Sequence, residues 1–171
     1  MTLSYALENA TVWLNGNTLA GHVSEIELPE LNFQTIDREA LGDIGILQLP
    51  TRLEELECTL TWTDWNPELA IAACNPWAVA KIQVRGNVAE HSPQGKVADS
   101  LLKVDITGRF LQNQMGTISP NEALEVETMM SCIYVKQTWK GATILEVDIQ
   151  TPTYRVNGVD RLEAMRANMG R

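Results

Sequence analysis

Alternation of apolar and polar positions dominates the chain. Leu53 to Trp62 is the clearest case, with Leu56, Cys58, Leu60 and Trp62 on one side and Glu55, Glu57, Thr59 and Thr61 on the other. A period of two sends successive side chains to opposite faces of a strand, so this stretch predicts one buried and one wet face. Val23 to Leu28 alternates likewise, with Val23, Glu25 and Glu27 opposite Ser24, Ile26 and Leu28. Leu31 to Glu39 also reads as strand. Longer strands are predicted over Trp77–His91, Lys96–Leu111 and Glu122–Lys140, and Thr143–Ile149 returns after a Lys140–Gly141 turn. In the longest, Leu124, Val126, Met130, Cys132 and Tyr134 are expected to share a face. The links between these strands are short and rich in Gly, Pro, Asn and Ser.

Two segments carry helical signals instead. Asn66 suits a cap and Pro67 the first helical position, so a short helix is expected over about 66–75, stopped by Asn75 and Pro76. At the end of the chain Asp160 and Glu163 have capping-box spacing, which predicts a helix over about 160–169. Leu162, Met165 and Met169 lie on one face of it, expected to pack on the core, and Gly170 closes it. Long strands, short turns and two small helices predict a single mainly β domain over residues 1–171. Its architecture is an antiparallel barrel or sandwich with one short flanking helix and a short C-terminal helix.

One segment fits neither pattern. Ala40 to Pro50 contains Gly42, Gly45 and Pro50 and reads as a long loop, yet it carries Leu41, Ile44, Ile46, Leu47 and Leu49. Five large aliphatic residues either fold back on the core or meet another chain.

Charge sharpens the picture. The 171 residues are 44% apolar and 20% charged, a globular balance, with a net charge of −9. Such acidity argues against a sequence-independent nucleic-acid binder, which needs Lys and Arg to displace counterions. It leaves room for a protein that stays near DNA without adhering to it. Up to residue 60 there are ten acids, Asp43 among them, against two bases, and twelve against eleven beyond. The excess is either a solvated face or a surface that repels something negative. No apolar run has the length of a membrane span, and the first basic residue is Arg38, so no secretory signal is expected. Cys58, Cys74 and Cys132 form no CxxC pair and are expected to be reduced, buried thiols.

Catalytic chemistry has no signature. His22 and His91 stand apart, and no HExxH, GxSxG, GxxxxGK[ST] or GxGxxG string occurs, so no catalytic, cofactor-binding or metal residue is assigned. Glu55 and Glu57 sit on an open polar face, a setting that does not suit a carboxylate pair to acid–base work.

The chain's ends carry a resemblance. Arg155-Val156-Asn157-Gly158-Val159-Asp160-Arg161-Leu162, running into Arg166-Ala167-Asn168-Met169-Gly170, resembles the close of the major tail tube proteins of P2-like contractile-tailed phages. Trp13-Leu14-Asn15-Gly16 followed by Gly21-His22-Val23-Ser24-Glu25-Ile26-Glu27-Leu28-Pro29-Glu30-Leu31 is similar to that family's opening pattern. Leu53–Leu60 and then Asn66-Pro67-Glu68 resemble its strand and short helix.

The resemblance implies a cofactor-free structural protein in the virion tail, assembled in the host cytoplasm without a membrane. It implies hexameric rings stacked into a tube inside a contractile sheath, ended by baseplate and tail-terminator proteins. The tape-measure protein and DNA would pass through the lumen. Glu55, Glu57, Thr59 and Thr61 become lumen-facing candidates, and Leu41, Ile44, Ile46, Leu47 and Leu49 inter-subunit candidates. The tube of a contractile bacteriocin or type VI-like machine shares the architecture. A monomeric lipocalin-like barrel with an apolar cavity is the alternative of another class.

Overall fold

The computed structural model describes residues 3–42, 44–122 and 124–170. Asp43 lies outside them. In chain order the elements are β1 (Ser4–Leu14), β2 (Asn17–Thr18), β3 (Val23–Glu27), β4 (Phe33–Arg38), β5 (Leu47–Leu53), β6 (Glu57–Trp62), α1 (Pro67–Ala73), β7 (Ala80–Ser92), β8 (Gly95–Asn113), β9 (Val126–Trp139), β10 (Ala142–Asp148), β11 (Thr153–Val156), β12 (Val159–Asp160) and α2 (Glu163–Asn168). The fold is mainly β and antiparallel, with two small helices.

Ten strands form one sheet in the order β12-β11-β10-β9-β8-β7-β1-β2, from which β6 and β3 branch at β9. The branch arises because β9 is long, at 14 residues. Its first half pairs with β6, from Glu57↔Ser131 to Trp62↔Val126, and its second half pairs with β10. The 19-residue β8 runs along the other edge of both halves. Thus one half-sheet is β3-β6-β9-β8 and the other is β1-β7-β8-β9-β10. The core lies between them: Leu56, just before β6, and Cys58, Leu60 and Trp62 within it join Val12, Leu14, Ile82, Val84 and Val147 in one buried cluster. Trp62, Phe110, Met130 and Ile106 fill the space that a ligand-binding barrel would keep open.

Bulges let one sheet serve both halves. Ile133 of β9 is an extra residue between Thr107↔Tyr134 and Gly108↔Cys132. Past it the alternation inverts, so Val135 is buried and Tyr134 faces away from the core. This corrects the expectation that Tyr134 shares a face with Cys132. Gly108 makes the bulge possible, since a Cβ there would stand 2.2 Å from the Ser131 carbonyl oxygen. Ser24 of β3 does the same on a smaller scale, and Val23 joins Ile26 on the core side rather than Glu25 and Glu27.

Further differences from the sequence reading follow from tertiary context. β1 was not anticipated, although the Asn15–Gly16 turn that ends it has φ of 49° and 90°, the signature of a two-residue hairpin turn. The segment read as a loop from Ala40 to Pro50 is a loop only as far as Ile46: β5 starts at Leu47 and holds Pro50 within a two-stranded sheet with β4. Proline is tolerated because this sheet has only edge strands. The first helix is capped as expected, with Asn66 Oδ1 accepting from the Glu68 and Leu69 amides at 2.9 and 3.4 Å. The last is not: α2 begins at Glu163, and its N-cap Leu162 makes no side-chain cap bond. Asp160 instead sits in β12, accepts from the Leu162 amide and pairs with Arg166 at 2.5 Å. No residue of α2 is buried, and Met165 and Met169 of the expected core stripe are exposed.

Candidate assembly surfaces

Three surfaces stand out. The first is the outer face of β3-β6-β9-β8. Register sets it: Glu27, Thr59, Met129 and Gln112 form one row across the strands, Glu25, Thr61 and Glu127 a second, and Glu57, Ser131 and Arg109 a third. Of the four sequence candidates, Glu57, Thr59 and Thr61 therefore lie together on this face, Glu57 exposed and the two threonines half-buried. Glu55 is exposed in the link before β6, outside the strand. Glu25, Glu27 and Glu127 enlarge the acidic set. None of these glutamates takes part in an ion pair among the described residues. Arg109 is the one basic group of this face among the described residues.

The second surface is the β4–β5 hairpin. Ile36 pairs with Leu49 and Arg38 with Leu47, so Ile36, Leu47 and Leu49 share a face, while Thr35, Asp37, Gln48 and Pro50 line the other. All the aliphatic groups are exposed: Ile36 61%, Ile46 58%, Leu47 52% and Leu49 42%, with Leu41 and Ile44 fully so. The hairpin thus does not fold back on the core. Near its base Phe33 meets Tyr154 edge-on at 5.6 Å between centroids. A groove of about 1030 Å³ opens there between Leu53, Ile149, Tyr154 and Met165.

The third surface is the outer face of β1-β7-β8-β9-β10, which continues over β11 and β12. One register row crosses seven strands: Trp13, Gln83, Asp105, Lys136, Glu146, Arg155 and Asp160. Asp105 accepts from Gln83 at 2.8 Å and pairs with Lys103 at 2.9 Å. Glu146 accepts from Tyr134 at 3.0 Å and from Arg155 at 3.1 Å. Burial, aided by the Glu146 carboxylate, pushes the Tyr134 phenol up to about 12. The Arg166 guanidinium, with the Leu162 amide, holds the Asp160 carboxyl below its usual range.

The thiols make no site. Cys58 and Cys132 are buried, and contact with Cys58, together with burial, pushes the Cys132 thiol up, away from reactivity. Cys74 is exposed rather than buried, its sulfur accepting from Asn113 at 3.3 Å. No cluster of three metal-ligating side chains occurs among the described residues, and no helix there is long and apolar enough to cross a membrane.

Comparison with known proteins gives these surfaces a context. The tail tube protein of Escherichia phage P2 is 27% identical over 175 residues, covering 99% of both chains. A chain of the sheath/tube terminator of the extracellular contractile injection system PVC shares the fold at a TM-score of 0.60 with 10% identity, covering 78% of this chain and 95% of its own. A chain of the PVC sheath-tube complex does so at 0.55 with 12% identity, covering 75% and 87%. The family profile described as phage tail tube protein FII matches residues 5–170, and the chain belongs to that family.

Proposed function

We propose that copies of this chain close into six-membered rings with the acidic β3-β6-β9-β8 face inward. The rings stack into the hollow tube of a contractile phage tail. The observation that carries this reading is the pairing of two unlike surfaces on one subunit: an ion-pair-free acidic sheet face and an exposed aliphatic hairpin.

Both sides of the acidic half-sheet lack a further ladder partner among the described residues: β3 pairs with β6 alone, and Arg109–Asn113 of β8 with β9 alone, because the pairing of β8 with β7 reaches only to Gly108. Exposed edges invite strand pairing, and a ring that joins one copy's β3 edge to the next copy's β8 edge removes both. The resulting inner wall carries Glu25, Glu27, Glu57 and Glu127, with Glu55 near its rim and Thr59 and Thr61 between them. A wall of fixed negative charge repels phosphate and lets DNA and an extended tape-measure protein pass without adhesion. Leu41, Ile44, Ile46, Leu47 and Leu49 bury against a neighbouring copy in the ring or in the next ring, and a head-to-tail contact of that kind repeats into a filament. The sheath surrounds this tube, baseplate and terminator proteins end it, and the assembly forms in the host cytoplasm before joining the virion. A bacteriocin or secretion tube uses the same architecture, and the acidity of the wall favours a polyanionic cargo.

Light scattering and negative-stain microscopy at rising concentration test the reading. Hollow tubes and masses in multiples of six 19.0 kDa chains are expected. A 19.0 kDa monomer at every concentration, together with absence of this chain from the tubes of isolated tails, would overturn it.

A further inference from the structure

We infer that the outward face around Lys81, Arg85 and Lys136 is where the surrounding sheath grips the tube, through carboxylate side chains on the sheath's inner surface. This rests on the tube reading above. The core lies between the two half-sheets, so turning the acidic half toward the axis turns the outer face of β1-β7-β8-β9-β10 away from it. That face meets whatever encloses the tube.

Its chemistry specifies the partner. The carboxylates on the face are already engaged: Asp105 by Gln83 and Lys103, Glu146 by Tyr134 and Arg155, Asp160 by Arg166, and Asp148 by Thr151 and the Gln150 amide. The cations Lys81, Arg85 and Lys136 make no ion pair among the described residues. What the face leaves unanswered is therefore positive charge, on a chain whose net charge is −9. Lys81 and Arg85 flank Gln83 on β7 and rim a groove of about 520 Å³, with Asp105 and Thr107 on its far wall. In the near wall the Trp13 indole N–H is sequestered from solvent and has no acceptor among the described residues. A carboxylate entering the groove pairs with Lys81 and Arg85, and a small turn of the indole gives that N–H its missing partner.

Exposed ion pairs of this kind hold weakly and weaken further with salt, which suits a sheath that must slide along the tube.

Zero-length carbodiimide coupling of intact tails, read by mass spectrometry, tests the assignment on the unmodified protein. Amides between Lys81 or Lys136 and Asp or Glu side chains of the sheath are expected. Coupling of these lysines only to a second copy of this chain, or none while Lys96 reacts, would overturn it. The Lys81→Glu/Arg85→Glu variant gives a second readout. Tubes of normal length are expected with at least a tenfold fall in the sheathed fraction, restored by Lys81→Arg/Arg85→Lys. Sheathed tails in normal proportion would overturn the proposal while leaving the tube reading standing. Loss of the tubes themselves would also overturn it, by assigning the face to contacts between copies.

Discussion

Two residues show how closely the core is specified. The Trp62 indole donates to Thr128 Oγ1 at 2.9 Å, and both side chains are essentially buried. Thr128→Val keeps the shape and removes the acceptor, so a buried N–H is left unpaired. The expected cost is about 1–3 kcal/mol in chemical denaturation, whereas an unchanged midpoint would mean that the bond contributes nothing net. Gly108 is the second. Its hydrogen faces a carbonyl that a methyl group would strike, so Gly108→Ala must push β8 and β9 apart at the bulge. A loss of about 2–3 kcal/mol is expected in the same assay, at the upper end of overpacking costs. Neither residue was legible in the sequence as more than a strand position. Period-two alternation identifies Leu56, Cys58, Leu60 and Trp62 as core because β6 is regular. It fails across Ile133 and Ser24, since one inserted residue inverts every face beyond it.

At the scale of elements, the β4–β5 hairpin and α2 depend on something other than their own chain's core. The hairpin's aliphatic face is exposed throughout, so Ile36→Asp/Leu49→Asp removes no buried contact within the subunit. Its denaturation midpoint is expected to stay within about 0.5 kcal/mol of the wild type, as for surface substitutions. Light scattering is expected to show loss of assembly. A variant that still polymerises would exclude the hairpin from the interface.

α2 is held by a latch between Asp160 and Arg166, whose guanidinium also donates to the Pro152 carbonyl at 2.7 Å. Because the folded Asp160 carboxyl titrates below its unfolded value, the latch stabilises at neutral pH and weakens as pH falls below about 3.9, the ordinary Asp value. Amide exchange over 161–170 is expected to quicken there, and in Asp160→Asn at pH 7. Equal protection in the variant would show that α2 is held by other means. The sequence announced a helix here but not its latch. Aspartate three residues before glutamate fits a capping box, and only the pairing of β12 with β11 withdraws Asp160 from the helix end. The strand within Ala40–Pro50 was hidden for a similar reason: Pro50 argues against a strand until its neighbours are known to form a sheet of edges alone.

For the whole molecule, the organising feature is segregation of charge between the two half-sheets. The sequence located the acidic excess in its first third, and the fold gathers part of it onto one face with Glu127 from a distant strand. The opposite face was legible only in part: Lys81 and Arg85 share a face of β7 by alternation, but Lys136 lies on β9 and joins them only through the register of β7, β8 and β9. In the proposed tube this segregation bears on what the inner wall retains. Glu27→Lys/Glu57→Lys tubes are expected to retain double-stranded DNA at low salt and to release it as salt rises, whereas wild-type tubes retain none. Equal retention by both would remove the wall's acidity from the account.

A cryo-electron microscopy reconstruction of the assembled tube measures directly the direction in which the acidic face points. Glu25, Glu27, Glu57 and Glu127 are expected on the lumen wall of a six-fold ring, with Leu47 and Leu49 buried between copies. A map in which those glutamates face the exterior, or in which the β4–β5 hairpin remains solvated, would contradict it.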